Sequence, residues 1–501
     1  MISKTPILDE LLKYKEENNL ILSMPGNKSG IGFLRDEIGC NFVNNLGFLD
    51  ITEVDPLDNL HNPEGIIKES QQLLANTYGV KKAFFLVNGS TSGNLASIFA
   101  AFKEGDEVLV ERNCHKSIYN GLILRKLRPI YIETNIDVDN EVLLPCTENN
   151  ILKAMDKAHN PNGIIITTPN YYGISTNLNN VFKLLKDKGL KIIVDAAHGA
   201  HYGFNEKLPK GIFNIVDYII TSAHKTLPSL TQGAYLLVND KDSNVEFYIN
   251  AFNTTSPSYL IMASLEYGRY YLDKYSNDDY SKLINMAEEY KDKINKLNKV
   301  KILCDKDINK NINQFTRVYE EEIVNEELER KYVIDKSRYI MNLPKGYSCS
   351  KLLEYLRSKK IQCEMSFSKG VVLLLSPFNT KDDFDKILKA IEELDIKVLE
   401  VKDINGCSEK IDYKPFTGIK KLEPFEVFDM DFKEVKLENS LGGISKDYII
   451  PYPPGIPLIL PGEEITEEVI QLINKYNKSS MSILGVNNNK VKIVYIYGGD
   501  T

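Results

Sequence analysis

The chain has 501 residues, of which 43% are hydrophobic and 26% charged, with 69 acidic against 61 basic residues and a formal net charge of −8. That balance excludes a chain dominated by disorder, and length gives a soft expectation of roughly two to four domains. A mildly acidic chain without a basic stripe interleaved with aromatics excludes a nucleic-acid partner, and seven scattered cysteines without a C-x-x-C pair exclude a disulfide framework or a bound zinc, so no metal is expected.

Residues 1–50 read as an N-terminal arm, a short charged helix followed by the Gly-rich stretch SMPGNKSGIG. The arm has neither the apolar core nor the small-residue cleavage site of a signal peptide. No apolar run along the chain reaches the ~18–20 residues of a membrane span. A cytoplasmic location with no membrane partner is therefore expected. Between 83 and 238 short β-branched runs alternate with helical patterns: AFFLV (83–87), EVLVE (107–111), PIYIE (129–133), GIIIT (163–167), KIIVD (191–195), VDYII (216–220) and AYLLV (234–238). Strand–helix alternation predicts an α/β domain over 51–298, with a mostly parallel seven-stranded sheet. The runs are apolar nearly throughout, as in strands buried on two faces. Residues 261–298 read as long helices, and EEYKDKINKLNK reads as a solvated face with i,i+4 charge pairs. A smaller α+β domain is expected over 299–410, and a last domain over 411–501 ends in the strand VKIVYIY.

Ligands of open α/β sheets bind at the carboxyl ends of the strands. After AFFLV comes NGSTSGN, where Ser90, Thr91 and Ser92 open a helix. Such a start cradles an anion or is an ordinary N-cap. After EVLVE comes His115, either a structural histidine or one that stacks on a flat ring. KIIVD ends in Asp195, a carboxylate that needs a partner when buried; a turn cap and a pyridinium N–H are both suitable. VDYII runs into TSAHKTLPSLTQG, with Lys225 just past the strand. Desolvation there would lower its pKa and make the amine a nucleophile towards an aldehyde. Each element is ambiguous alone. Together, on successive strand ends, they form the combination that pyridoxal phosphate (PLP) needs: anion cradle, ring-stacking histidine, carboxylate for the ring nitrogen and Schiff-base lysine.

The stretches MPGNKSG, DPLDNLHNPEG, NGSTSGN, RNCHKS, DAAHGAHYGF, SAHKTLPSLTQG, TTSPSY and IIPYPPGIPLILPGE resemble the bacterial ornithine/lysine/arginine decarboxylases, in the short form without an N-terminal wing domain. These belong to the aspartate-aminotransferase-like (fold type I) class of PLP enzymes. The resemblance runs from about residue 24 to 464. It implies that Lys225 forms the Schiff base, Asp195 pairs with the pyridine nitrogen and His115 stacks on the ring. It implies that Ser90, Thr91, Ser92, Ser222 and His224 surround the phosphate, and that His198 lies near the ring or the substrate carboxylate. It further implies that Ser256 approaches a neighbouring subunit's site across a homodimer interface. Glu463 is implied to face the distal cation of a basic amino acid. The implied reaction is decarboxylation of arginine, lysine or ornithine to the corresponding polyamine precursor. One departure stands out: the family usually reads PGHK, whereas Asn27 replaces the histidine here, and Asn cannot take up a proton. The alternatives are an aminotransferase or β-eliminating lyase of the same fold, which shares Asp195 and Lys225, and a non-catalytic regulatory homologue.

Overall fold

A computed structural model describes residues 5–310, 331–400, 418–452, 457–478 and 482–494. The expected boundary at 410/411, residues 453–456 of the PYPPGIPL stretch and the end of the final strand lie outside the described residues.

Seven strands build the central sheet: β1 (Lys82–Leu86), β2 (Glu107–Glu111), β3 (Arg128–Ile132), β4 (Pro161–Thr167), β5 (Lys191–Asp195), β6 (Tyr218–Thr221) and β7 (Ala234–Val238). Their spatial order is β1-β7-β6-β5-β4-β2-β3. Only β7 runs antiparallel to its neighbours; the other pairs are parallel. The crossovers after β1 to β4 carry α1 (Gly89–Ala101), α2 (Lys116–Leu124), α3 (Glu148–Lys157) and α4 (Asn179–Asp187). Side chains of a strand alternate between faces. Ile192 and Val194 accordingly join the core on one face of the sheet, and Ile193 joins the core on the other. With both faces covered, the strands need apolar residues at every position, and their carboxyl ends are the free edge on which polar groups can gather. This is the mostly parallel α/β sheet expected from the sequence.

Two long helices follow, α5 (Tyr259–Lys274) and α6 (Ser276–Lys296). On α6 the expected charge pair forms between Glu289 and Lys293, while Tyr290 and Ile294 turn inward. A four-stranded antiparallel sheet comes next: β8 (Lys301–Ile302), β9 (Arg338–Asn342), β10 (Met365–Phe367) and β11 (Gly370–Leu374), in the order β8-β9-β11-β10. Helices α7 (Cys349–Ser358) and α8 (Lys381–Glu392) pack into its core. Towards the C-terminus, β12 (Lys433–Lys436), β13 (Ile444–Ser445) and β14 (Lys490–Val494) form a three-stranded sheet, of which β12 and β14 share a core with α9 (Glu467–Lys478).

The N-terminal arm is tied to this frame at two points. Strand Leu20–Leu22 pairs in parallel with Ile361–Cys363. The turn Pro25-Gly26-Asn27-Lys28 then seats on the turn that carries Lys225: the Gly26 N–H donates to the His224 carbonyl at 2.7 Å. A Cβ on Gly26 would lie 2.6 Å from the carbonyl carbon of Thr226, so only glycine allows this approach. Gly26→Ala is expected to lower stability by about 1–3 kcal/mol through overpacking, read as a lower urea midpoint. An unchanged midpoint would show that the two turns separate freely.

Candidate active site

The parallel register places the ends of β4, β5 and β6 side by side, with Asp195 opposite both Thr167 and Ile220. The segments after β2, β5 and β6 and the start of α1 form one cluster. Lys225 sits in the short helical turn Ala223–Thr226 just past β6. Its Nζ lies 3.0 Å from Nε2 of His198, three residues past β5. Burial lowers the Lys225 pKa from its ordinary value, and Arg338 lowers it further, while Asp195 and Glu364 pull the other way. Burial also pushes His198 well down, with Lys225 and Arg338 adding to the effect. The imidazole is therefore neutral in the physiological range.

Asp195 is buried, and its oxygens accept from the Ala197 N–H at 3.1 Å and the Asn94 amide at 3.0 Å. Among the described residues no cation pairs directly with it. A buried carboxylate held only by neutral donors retains acceptor capacity for a cationic N–H. The Asn94 amide also donates to Ser117 Oγ at 2.8 Å, and Ser117 Oγ lies 2.9 Å from Nδ1 of His115. With its acceptor side facing Asn94, the Ser117 hydroxyl sends its proton to Nδ1. The Ser117 N–H donates to the same nitrogen at 3.3 Å. His115 thus caps α2 and is fixed as the Nε2–H tautomer, its ring tied through two side chains to Asp195. Burial lowers its pKa, opposed by Asp195.

The third component is the start of α1. Its N-cap, Asn88, makes no side-chain capping bond, so the orphan N–H groups of the first turn keep their capacity for an anion. Ser90 Oγ and Ser222 Oγ are 2.5 Å apart and bring the helix start to the Lys225 turn. Nδ1 of His224 donates to the Gly233 carbonyl at 2.9 Å, leaving Nε2 as an acceptor. Thr91 is exposed beside this edge, and the Ser92 hydroxyl is committed to the Gly89 carbonyl at 2.8 Å. An electrophilic carbonyl, a ring nitrogen and a phosphate all find complementary groups here.

Residues 5–383 match the Orn/Lys/Arg decarboxylase major domain, and residues 424–488 match the C-terminal domain of the same enzymes. The chain belongs to the Orn/Lys/Arg decarboxylase family. It is 31% identical to the uncharacterized protein YaaO of Bacillus subtilis over 98% of both chains. It is 29% identical to an arginine decarboxylase of Halalkalibacterium halodurans, covering 96% of this chain and 95% of that one. Its fold is similar to the Francisella novicida lysine decarboxylase LdcF, with TM-score 0.74 at 19% identity over 97% of this chain and 80% of that one. The fold is that of the fold type I PLP enzymes.

Not every expected residue of this family member reaches the cluster. Glu463 is the clear correction. Its side chain is fully buried, and Arg112 clamps both oxygens, Nη1 to Oε1 at 2.5 Å and Nη2 to Oε2 at 2.7 Å. The Leu460 N–H donates to Oε2 at 2.9 Å, and Gly418 lies so close that a Cβ there would be 2.1 Å from the carboxyl carbon. A carboxylate so enclosed and neutralised has no room for a substrate cation. Ser256 is exposed in its loop and touches none of the cluster in this chain.

Asn27 is explained structurally. Its Nδ2 donates to the Ser229 carbonyl at 2.8 Å, and its Oδ1 accepts the Gly30 N–H at 3.0 Å. The amide braces the arm against the chain beyond Lys225 and is not offered to a ligand. Sequence reading missed Asn94, Ser117, Tyr171, Arg338 and Glu364. An Asn inside an apolar helix was the one available signal, since Asn competes poorly there.

Neighbouring Lys28 is buried, and its Nζ donates to the carbonyls of Ser23 at 2.6 Å and Leu374 at 3.1 Å. Burial pushes its pKa down to about 7, against the pull of Glu364. In the unfolded chain this amine titrates at its ordinary value. Between the two values the unfolded state binds more protons, so Lys28 makes stability rise with pH across the window from about 7 to about 10.5. Lys28→Met is expected to flatten that rise in urea titrations run across the window; an unaltered slope would place the amine in water. For the buried pair, Glu463→Gln is expected to cost about 3–5 kcal/mol, with KM little changed. A raised KM at unchanged stability would return Glu463 to a substrate role.

Proposed function

We propose that this decarboxylase-family chain binds PLP through Lys225 and releases CO2 from a basic amino acid. Arginine stands ahead of lysine and ornithine, because the full-length relative from Halalkalibacterium halodurans is named an arginine decarboxylase. The observation that carries the reading is the convergence, at one edge of the sheet, of an amine with a lowered pKa, a buried carboxylate that no described cation pairs and an uncapped helix start beside two serine hydroxyls.

These groups fit the cofactor. Lys225 would supply the amine for its aldehyde. The Asp195 carboxylate, already oriented by Asn94, would hold a proton on the pyridine nitrogen. The first turn of α1, with Ser90, Thr91, Ser92, Ser222 and His224, would receive the phosphate, Ser92 through its backbone N–H and His224 by taking up a second proton at Nε2. His115, locked by Ser117, would lie against the ring. When bound, PLP supplies an electron sink for the pair left behind as CO2 departs. His198, with Nε2 3.0 Å from Nζ, is suited to hydrogen-bond Lys225 and hold the amine in place.

Arg338 favours decarboxylation over transamination. An aminotransferase needs an arginine free for the substrate α-carboxylate. Arg338 is 3% exposed and already donates to Asp335, the Tyr171 carbonyl and the His198 carbonyl. A carboxylate gripped by a guanidinium is also stabilised more before its charge moves into the ring than after, which raises the barrier to losing CO2. For the distal cation of the substrate the carboxylate of choice is Glu364. It accepts from Tyr171 Oη at 2.6 Å, and the Tyr171 ring packs edge-on against His198 at 4.9 Å. Glu364 is thus linked to the Lys225 amine through Tyr171 and His198.

Two copies are proposed to associate. The helix Pro6–Glu16 buries none of its residues, leaving Ile7, Leu8, Leu11 and Leu12 exposed. A hollow of about 560 Å³ lined by Ile38, Phe42, Phe48 and Tyr267 opens on the surface, with Phe48 83% exposed. Apolar area of this kind is costly to leave in water, and Ser256 lies exposed where a partner's site could meet it.

Labelled CO2 release from arginine, lysine and ornithine tests the reaction, with arginine expected to be fastest and no dependence on an added keto acid. Lys225→Ala should abolish the visible-edge absorbance of bound PLP together with turnover. No release from any of the three, or release that requires a keto acid, would sink the reading.

A further inference from the structure

Arg338 is the first residue of β9, yet its guanidinium reaches across to the segment after β5. Gly173, at φ +77°, leaves the space, for a Cβ there would lie 2.4 Å from Cδ of Arg338. Every nitrogen of the fork is directed. Nε donates to Asp335 Oδ2 at 3.3 Å, Nη1 to the Tyr171 carbonyl at 2.9 Å and Nη2 to the His198 carbonyl at 3.0 Å. Both Nη1 and Nη2 also face Nδ1 of His198 at 3.4 Å. Asp335 is itself fixed. Its Oδ1 accepts from Ser337 Oγ at 2.7 Å, and its Oδ2 lies 3.0 Å from Nε2 of fully buried His201. Burial would raise the Asp335 pKa, but His201 and Arg338 outweigh that and hold it below the ordinary range.

A guanidinium has only donors and keeps its charge. Nδ1 of His198 can face it only as an acceptor. A neutral imidazole carries one proton, so the proton sits on Nε2. Nε2–H then points at Nζ of Lys225, and an ammonium has no lone pair to accept it. We infer that Arg338 is a positioning residue, which fixes His198 as the Nε2–H tautomer and so makes His198 a donor to a free-amine Lys225. This rests on the assignment of Lys225 as the amine that takes PLP. The Asp335–Arg338 pair is then a device of the small domain acting on the large one. It sets which partner in the His198–Lys225 contact holds the proton.

The other charges facing the contact are Asp195 and Glu364, which favour a protonated Lys225, and His115 and His224, which disfavour a second proton on His198. Of these charged groups it is Arg338 that contacts Nδ1, and a donor there leaves the ring proton to Nε2.

The test reads the ring directly. The full-length chain is labelled with [15N]histidine, and His198→Gln identifies the His198 signals among the six histidines. At pH 7 the expected spectrum has a protonated Nε2 and an acceptor Nδ1. A protonated Nδ1, or a doubly protonated ring, would overturn the inference. Arg338→Lys keeps the charge and loses the fork. It is expected to mix the tautomers and to slow capture of added PLP by Lys225 at neutral pH. One unit of upward shift in the amine would slow capture about tenfold, with recovery at alkaline pH. A native tautomer and a native capture profile in Arg338→Lys would show that charge alone suffices and would overturn the positioning role. Should that variant fail to fold, the native spectrum still decides. Since the ring is read without turnover, an Nε2–H His198 in a chain that releases no CO2 would sink the decarboxylase reading and leave this one standing.

Discussion

Two nitrogens 3.0 Å apart, Nζ of Lys225 and Nε2 of His198, must share one proton between them. Whichever holds it, the other must offer a lone pair. Everything around the pair bears on that choice. Burial makes both charged forms expensive, and in a dry setting an extra cation is far more costly than an extra neutral donor. The site accordingly spends its charges at one remove: Arg338 is neutralised by Asp335 behind the imidazole, and Asp195 is held by the Asn94 amide and the Ala197 N–H. Neither carboxylate bonds the lysine directly. A direct ion pair would make the ammonium the favoured form, and an ammonium cannot attack a carbonyl.

The fold of the large domain was legible because its strands are buried on both faces. Continuous apolar runs such as KIIVD and AYLLV admit few other readings, and the observed strands fall within a residue or two of the expected ones. Lys225, Asp195, His115 and Ser90 were legible for the same reason, since polar residues immediately after such runs stand at the carboxyl edge. What could not be read is who holds whom. The tie from His115 through Ser117 and Asn94 to Asp195 joins residues 115, 117, 94 and 195. Only the sheet order, with β5 and β6 between β4 and β7, makes them neighbours. Arg338 was invisible on different grounds. It opens an apolar strand of another domain, where an arginine normally points to solvent. Its inward path depends on the absence of a side chain at Gly173.

Glu463 and Asn27 teach opposite lessons about carrying a motif over. Glu463 has the expected residue type and the expected flanking prolines and glycines, and its carboxylate is nonetheless sealed by Arg112. Type and spacing fix the position of a backbone, whereas the freedom of a side chain is fixed by what else arrives there. Asn27 departs from the usual residue and still meets a local requirement, with one donor for the Ser229 carbonyl and one acceptor for the Gly30 N–H. The brace needs hydrogen bonds of the right sense, not a titrating group. The departure therefore carries no argument for loss of catalysis.

The same logic explains why the arm and the small domain converge on one turn. A four-residue helical turn has too few internal hydrogen bonds to be rigid by itself. The Lys225 turn is instead clamped from outside, by Gly26 on its backbone and by His198, which is itself held by Arg338, on its side chain. Gly26 and Arg338 come from the two segments of the chain that lie before and after the large domain in sequence. A chain cut down to the large domain would retain the sheet core and every residue at the strand ends. It would lose the Gly26 contact and the hold of Arg338 on His198, and keep only the His198–Lys225 contact itself. The placement of Lys225 is thus a property of packing beyond the large domain, although its immediate neighbours in sequence all belong to that domain.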